Sequence, residues 1–137
     1  MENKAAVSAD TLFGERLYTP RNLSLFGEEK FLNRDYVIVL VTCASKQEAE
    51  KIVQRLLAAK LIACGNIIGP VASFFRWSGK AEKAEEWLAL MKSRRDLFEK
   101  LAEAVKALHG YEVPEILALP VVEGAKEYLD WLESCLR

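Results

Sequence analysis

Apolar and polar positions change rhythm repeatedly after Tyr36, and each change predicts an element. Tyr36-Val37-Ile38-Val39-Leu40-Val41-Thr42 is β-branched or aromatic almost throughout and apolar on both parities. That is the pattern of a central strand covered on two faces. After Cys43-Ala44 the period becomes helical, with Ala49, Ile52, Val53, Leu56 and Leu57 on one side and Lys46, Glu50, Lys51, Gln54 and Arg55 on the other. Ser45 with Glu48 three residues later is a capping box, so a helix starts there and runs to about Lys60. Ile62 to Trp77 reads as a long extended stretch, with Gly65 and Gly69-Pro70 marking a bulge or bend. Ser78-Gly79 supplies a turn, and Lys80 to Lys92 returns. The first half of that arm, Lys80 to Glu86, has helix propensity, but the turn demands a hairpin partner of similar length, so the whole arm is read as strand. A second capping box, Ser93 with Asp96, opens a helix carrying Leu97, Phe98, Leu101, Val105 and Leu108. Gly110 is expected to provide the left-handed residue that ends it, and Pro114 to push Val113 into an extended conformation. A fourth strand follows over Glu115 to Pro120. Lys126 to Leu136 forms a terminal helix that sets Tyr128, Leu129 and Leu132 against the body.

The order β-α-β-β-α-β plus a helix is the split βαβ of ferredoxin-like α+β domains. Its helices cover one face of a four-stranded antiparallel sheet. Trp87, Ala89 and Met91 alternate with Leu88 and Leu90, so both faces of the sheet are apolar. The face without helices needs cover from another chain, which implies homo-oligomerisation. The same topology brings Cys43 and His109 to one end of the sheet, with Glu112 and Glu115 leading into a strand expected beside the first. Cys64 falls at the opposite end, too far from Cys43 for a disulfide within one chain.

Residues 1–35 lack sustained periodicity and form an N-terminal extension of uncertain order ahead of a domain at 36–137. They hold a short echo, Thr11-Leu12-Phe13-Gly14-Glu15 and Ser24-Leu25-Phe26-Gly27-Glu28, too brief for a structural repeat. Its apolar residues are read as lying against the domain surface, with docking anchors as the alternative. No apolar signal core precedes the domain, and Glu15, Glu28 and Glu29 argue against a transit peptide. The 137 residues, 51% hydrophobic and 28% charged, fit a single globular domain. A net charge of −1 offers no footprint for nucleic acid, and no apolar run is long enough to span a membrane. Three unevenly spaced cysteines, Cys43, Cys64 and Cys135, argue against a disulfide framework and fit a reducing, cytoplasmic location.

The candidate chemistry sits around the only histidine, in Leu108-His109-Gly110-Tyr111-Glu112-Val113-Pro114-Glu115. A thiolate, an imidazole and a carboxylate suit copper, zinc or another borderline-soft divalent ion. The spacing is neither CxxC nor HxxxH, so on its own it is a weak signal. Cys64, between Ala63 and Gly65, reads as a small core residue. Trp77, Trp87 and Trp131 read as core or interface anchors, and the charges from Lys80 to Glu86 as a solvated or intersubunit hairpin face. No GxSxG, GxGxxG or P-loop pattern occurs. A Cys43–His109 nucleophile–base pair would lack an orienting third residue, so no enzyme activity is expected.

Several segments together resemble the CutA divalent-cation tolerance family. They are Val39-Leu40-Val41-Thr42-Cys43, Leu61-Ile62-Ala63-Cys64-Gly65-Asn66-Ile67, Arg76-Trp77-Ser78-Gly79-Lys80, Met91-Lys92-Ser93-Arg94, His109 to Glu115, and Tyr128-Leu129-Asp130-Trp131. The resemblance implies a ferredoxin-like subunit in a tight homotrimer, its long hairpin embracing a neighbour, with a link to divalent-metal tolerance and no established catalysis. It implies copper binding, with Cys43, Cys64 and His109 as metal ligands; zinc is the alternative ion, and Glu112, close to His109 in sequence, is read as an oxygen ligand beside them. Trp77, Lys80 and Tyr111, with Glu112, match positions near the intersubunit cleft. The chain departs from the family at Gly110, where proline is usual, at Ala81 and at Trp87. A second reading follows from the likeness of CutA trimers to PII signalling proteins: a small anionic ligand in the intersubunit cleft near Lys80 and Arg94. A third is a structural, partner-anchoring trimer.

Overall fold

The computed structural model describes residues 36–137; the extension and its echo lie outside the described residues. The elements are β1 (Tyr36–Cys43), α1 (Lys46–Ala58), β2 (Cys64–Trp77), β3 (Lys80–Arg94), a 3-10 turn (Arg95–Leu97), α2 (Phe98–Leu108), β4 (Leu117–Pro120) and α3 (Lys126–Cys135). The strands form one antiparallel sheet in the order β2-β3-β1-β4. This is the ferredoxin-like arrangement the element order predicts.

Register decides which residues meet the helices. Val37, Val39, Val41 and Cys43 stand opposite Ser93, Met91, Ala89 and Trp87 across the β1–β3 ladder. Directly paired residues share a face, and this one is buried beneath α1 and α2 with Ile52, Leu56, Leu101 and Val105. Gly65 permits the close approach of α1, since a Cβ there would meet Val53 Cγ1 at 2.8 Å. The other face presents Ile38, Leu40, Leu88, Leu90, Leu117 and Leu119, and the last two are exposed. Beyond the four-stranded part, β2 and β3 continue as a two-stranded arm, Val71↔Glu86 to Trp77↔Lys80. Residues 80–86 are therefore strand, because each lies in register against β2. The expected irregularity falls between Ile68 and Val71, where Gly69 receives the Trp87 ring. Ser78 and Gly79, at φ 49 and 76, close the arm as a two-residue turn.

Three local readings are corrected. Ser93 is not a helix cap; it is the wholly buried penultimate residue of β3, and its hydroxyl donates to the Leu61 carbonyl at 2.6 Å. Asp96 instead accepts from Arg94 Nε, and α2 starts without a side-chain cap. Nor is Gly110 left-handed: α2 ends because His109 turns extended, at φ −82 and ψ 141. Cys64 also differs from its reading as a core residue. It pairs with Lys92, on the face that carries Ile38, and is only half-buried.

Candidate metal centre

The end of β1 and the start of α1 build one half of the site. Cys43 is the last residue of β1, points into the core and is fully buried. Ser45 Oγ accepts the Glu48 N–H at 3.1 Å, which fixes the first turn of α1 over the strand end. The reciprocal half of a capping box would return the Glu48 carboxylate to Ser45. Instead it reaches across to the turn after α2, where Oε2 accepts the Gly110 N–H at 3.1 Å. Proline could not make that bond, and a Cβ on residue 110 would meet Oε2 at 2.8 Å. Gly110 is thus tied to α1 by its own amide.

That turn supplies the other half. The His109 side chain is wholly buried, and its Nε2 lies 2.7 Å from the Thr42 carbonyl oxygen. Nδ1 accepts the Tyr111 N–H at 3.0 Å and stands 3.7 Å from Glu48 Oε1. The Tyr111 hydroxyl donates to Glu86 Oε2 at 2.9 Å, and Glu86 itself is buried.

One ligand atom each from Cys43, Glu48 and His109 lies within 4.8 Å of the other two. Among the described residues Glu48 Oε1 is buried yet accepts no hydrogen bond of ordinary geometry, although the Cys43 thiol is near enough for the Glu48 carboxylate to help hold its proton. An orphaned carboxylate oxygen beside a thiol and an imidazole is an acceptor that a cation would satisfy, so the donor set fits a borderline divalent ion.

The electrostatics oppose spontaneous ionisation of the thiol. Burial, reinforced by Glu48, pushes the Cys43 thiol up to about 12, and burial with the Glu86 hydrogen bond pushes the Tyr111 phenol up to about 12. Burial and Glu86 also raise the Glu115 carboxyl. Unfolded, Cys43 and Tyr111 would release their protons near 9.0 and 10.0. Above pH 9 the unfolded chain therefore holds fewer protons than the folded one, and stability falls as pH rises toward 12. In metal-free protein the urea midpoint should decline across that window. Cys43→Ala should flatten its lower part, and an unaltered slope would mean that the thiol is not held neutral by the fold.

The remaining predicted positions lie elsewhere. Glu112 is exposed and outside the cluster. Cys64 is at the far end of the sheet, its sulfur 3.7 Å from the Tyr128 hydroxyl oxygen. Trp77 and Lys80 flank the exposed hairpin tip, while Tyr111 adjoins the cluster. Arg94 is engaged by Asp96, Glu133 and the Arg137 carbonyl. It lies fourteen residues along β3 from Lys80, about 46 Å at strand rise, so the two could share a ligand only between subunits. Glu48 is the participant that pattern reading missed, because its capping role already accounted for it. Its place one helical turn past a strand-end cysteine was the available signal.

A sequence profile described as CutA1 divalent ion tolerance protein matches residues 37–135. A "Divalent-cation tolerance protein CutA" of Thermus thermophilus is 47% identical over 97 residues, spanning 71% of this chain and 94% of that protein. "Protein CutA, chloroplastic" of Arabidopsis thaliana is 38% identical over 101 residues, 74% of this chain and 56% of that one. The structure of a "Periplasmic divalent cation tolerance protein CutA" from Archaeoglobus fulgidus superposes with a TM-score of 0.72 at 42% identity, covering 74% of this chain and 99% of that one. Those names place relatives in different compartments; in this chain, no helix among the described residues is long and apolar enough to cross a membrane. With the matched profile running from the second residue of β1 to the last of α3, the chain belongs to the CutA1 divalent ion tolerance family.

Proposed function

We propose that this chain is a homotrimeric, non-catalytic binding protein for divalent metal ions, with copper preferred over zinc. The carrying observation is the convergence of Cys43, Glu48 and His109 around an unsatisfied carboxylate oxygen. In this reading Cys43 gives the thiolate, His109 Nδ1 the imidazole and Glu48 Oε1 the oxygen, while Cys64 and Glu112 stand apart. Sulfur, nitrogen and oxygen donors bind copper(II) above zinc(II) by the general affinity order. Because the thiol is neutral at ordinary pH, binding releases its proton and tightens as pH rises.

The trimer is supported by the uncovered apolar face around Leu117 and Leu119, and by the bare Phe74 and Trp77 on the hairpin arm. Exposure of this extent is typical of a surface that another chain covers. Sedimentation should find a trimer, and a monomer at micromolar concentration would sink this part of the reading. Three unpaired cysteines support a reducing compartment such as the cytoplasm.

Calorimetric titration tests the site. Wild-type protein should take up Zn2+ or Cu2+ stoichiometrically. Cys43→Ala and His109→Ala should each weaken binding at least about a hundredfold, beyond what loss of an outer-sphere contact costs, whereas Cys135→Ala should leave it unchanged. Equal affinities in all four proteins would remove the site.

A further inference from the structure

The lone pair that His109 would offer a metal is already in use. Its Nε2 lies 2.7 Å from the Thr42 carbonyl oxygen, which can only accept, so Nε2 carries the proton. Nδ1 is then the bare nitrogen, and it takes the Tyr111 N–H at 3.0 Å. This is also the nitrogen that faces Glu48 Oε1. An imidazole nitrogen has one in-plane lone pair, which cannot hold an amide proton and a metal together. Reversing the ring would sacrifice both hydrogen bonds inside a site where the side chain is wholly buried.

Within the subunit, the turn that occupies this lone pair is held at few points. Tyr111, Glu112 and Val113 are exposed. Besides the bond to Nδ1, Tyr111 is tied by its hydroxyl to Glu86 and by its ring, 4.8 Å from that of His109. The Gly110 N–H on Glu48 Oε2 anchors the turn one residue earlier, so Tyr111 can swing away without detaching the carboxylate.

We propose that Tyr111 is a latch on the metal centre: closed, its amide caps His109 Nδ1 and its hydroxyl holds Glu86; open, it frees Nδ1 for the metal. The latch rests on the reading of Nδ1 as a ligand. Metal uptake and the closed turn exclude each other, so apparent affinity equals intrinsic affinity scaled by the open fraction.

Tyr111→Phe separates this from a supporting role. Removing the hydroxyl loses the tie to Glu86 and favours the open turn, so Zn2+ should bind about threefold to tenfold more tightly. A residue that merely braced the site would weaken binding when altered. Amide exchange followed by nuclear magnetic resonance gives a second readout on the unaltered protein. The Tyr111 amide should be protected without metal and exchange faster when saturated with Zn2+, while Gly110 keeps its protection. If Zn2+ binding depends on Cys43 and His109 but Tyr111→Phe fails to tighten it and the Tyr111 amide stays protected, the latch is wrong and the site stands. If Zn2+ binds equally well without Cys43 and His109, or not at all, the ligand reading falls and takes the latch with it.

Discussion

Leu101→Ala should lower the unfolding free energy by about 2–5 kcal/mol, the usual cost of emptying a leucine site that cannot collapse. Leu101 is fully buried on α2, in one cluster with Ile52 and Leu56 of α1 and with Val39 and Met91 of the sheet. That cluster draws on two helices and two strands, so no single element can move in to fill the space. Leu57 belongs to the same kind of helical apolar run but is 41% exposed, and Leu57→Ala should cost less than about 1.5 kcal/mol, since a large part of that side chain stays in water and truncating it leaves no closed cavity. Urea unfolding at one protomer concentration measures both, because assembly would shift the apparent stability with concentration. Equal costs for the two would mean that helix propensity, not the α1–α2 layer, holds the fold.

That contrast also marks what the chain discloses before folding. Periodicity together with turn residues predicts each strand and α-helix from β1 to α3, though not the 3-10 turn at Arg95–Leu97, because most of these elements must present an apolar face to one core. The arm at residues 80–86 is instructive: its composition suits a helix, yet the Ser78-Gly79 turn commits it to β2. Pairing across the turn outweighs local propensity there. Ser93 and Asp96 mislead for the complementary reason. Their spacing meets the capping rule, but the Leu61 carbonyl claims the Ser93 hydroxyl and Arg94 claims Asp96. Partners distant in sequence decide such cases. The candidate site was legible to the same depth. Topology brings Cys43 and His109 to one end, whereas choosing Glu48 over Glu112 depends on which carboxylate side chain reaches inward.

Glu48→Gln should abolish most metal affinity while leaving the metal-free protein as stable as before. The amide keeps the shape of the carboxylate, and its oxygen can still accept the Gly110 N–H that Oε2 now takes. Its nitrogen would then lie where Oε1 sits, 3.7 Å from His109 Nδ1 and without a present hydrogen bond to lose. Replacing an unsatisfied, buried anionic oxygen by a neutral amide nitrogen lowers the desolvation penalty but leaves that nitrogen without an acceptor, so folding should change by no more than about 1 kcal/mol. Binding has no such compensation. The variant loses the oxygen donor and the negative charge together, and at least about a hundredfold in Zn2+ affinity should go with them. Loss of Glu48 would also remove one of the influences that hold the Cys43 thiol high, though burial, the larger cause, remains. Urea curves and Zn2+ titrations on the same preparation read both quantities. A parallel fall in stability and affinity would make Glu48 a structural tie for the turn. Affinity lost at constant stability would mark a residue kept for what it binds, at a place where the fold tolerates an unsatisfied oxygen.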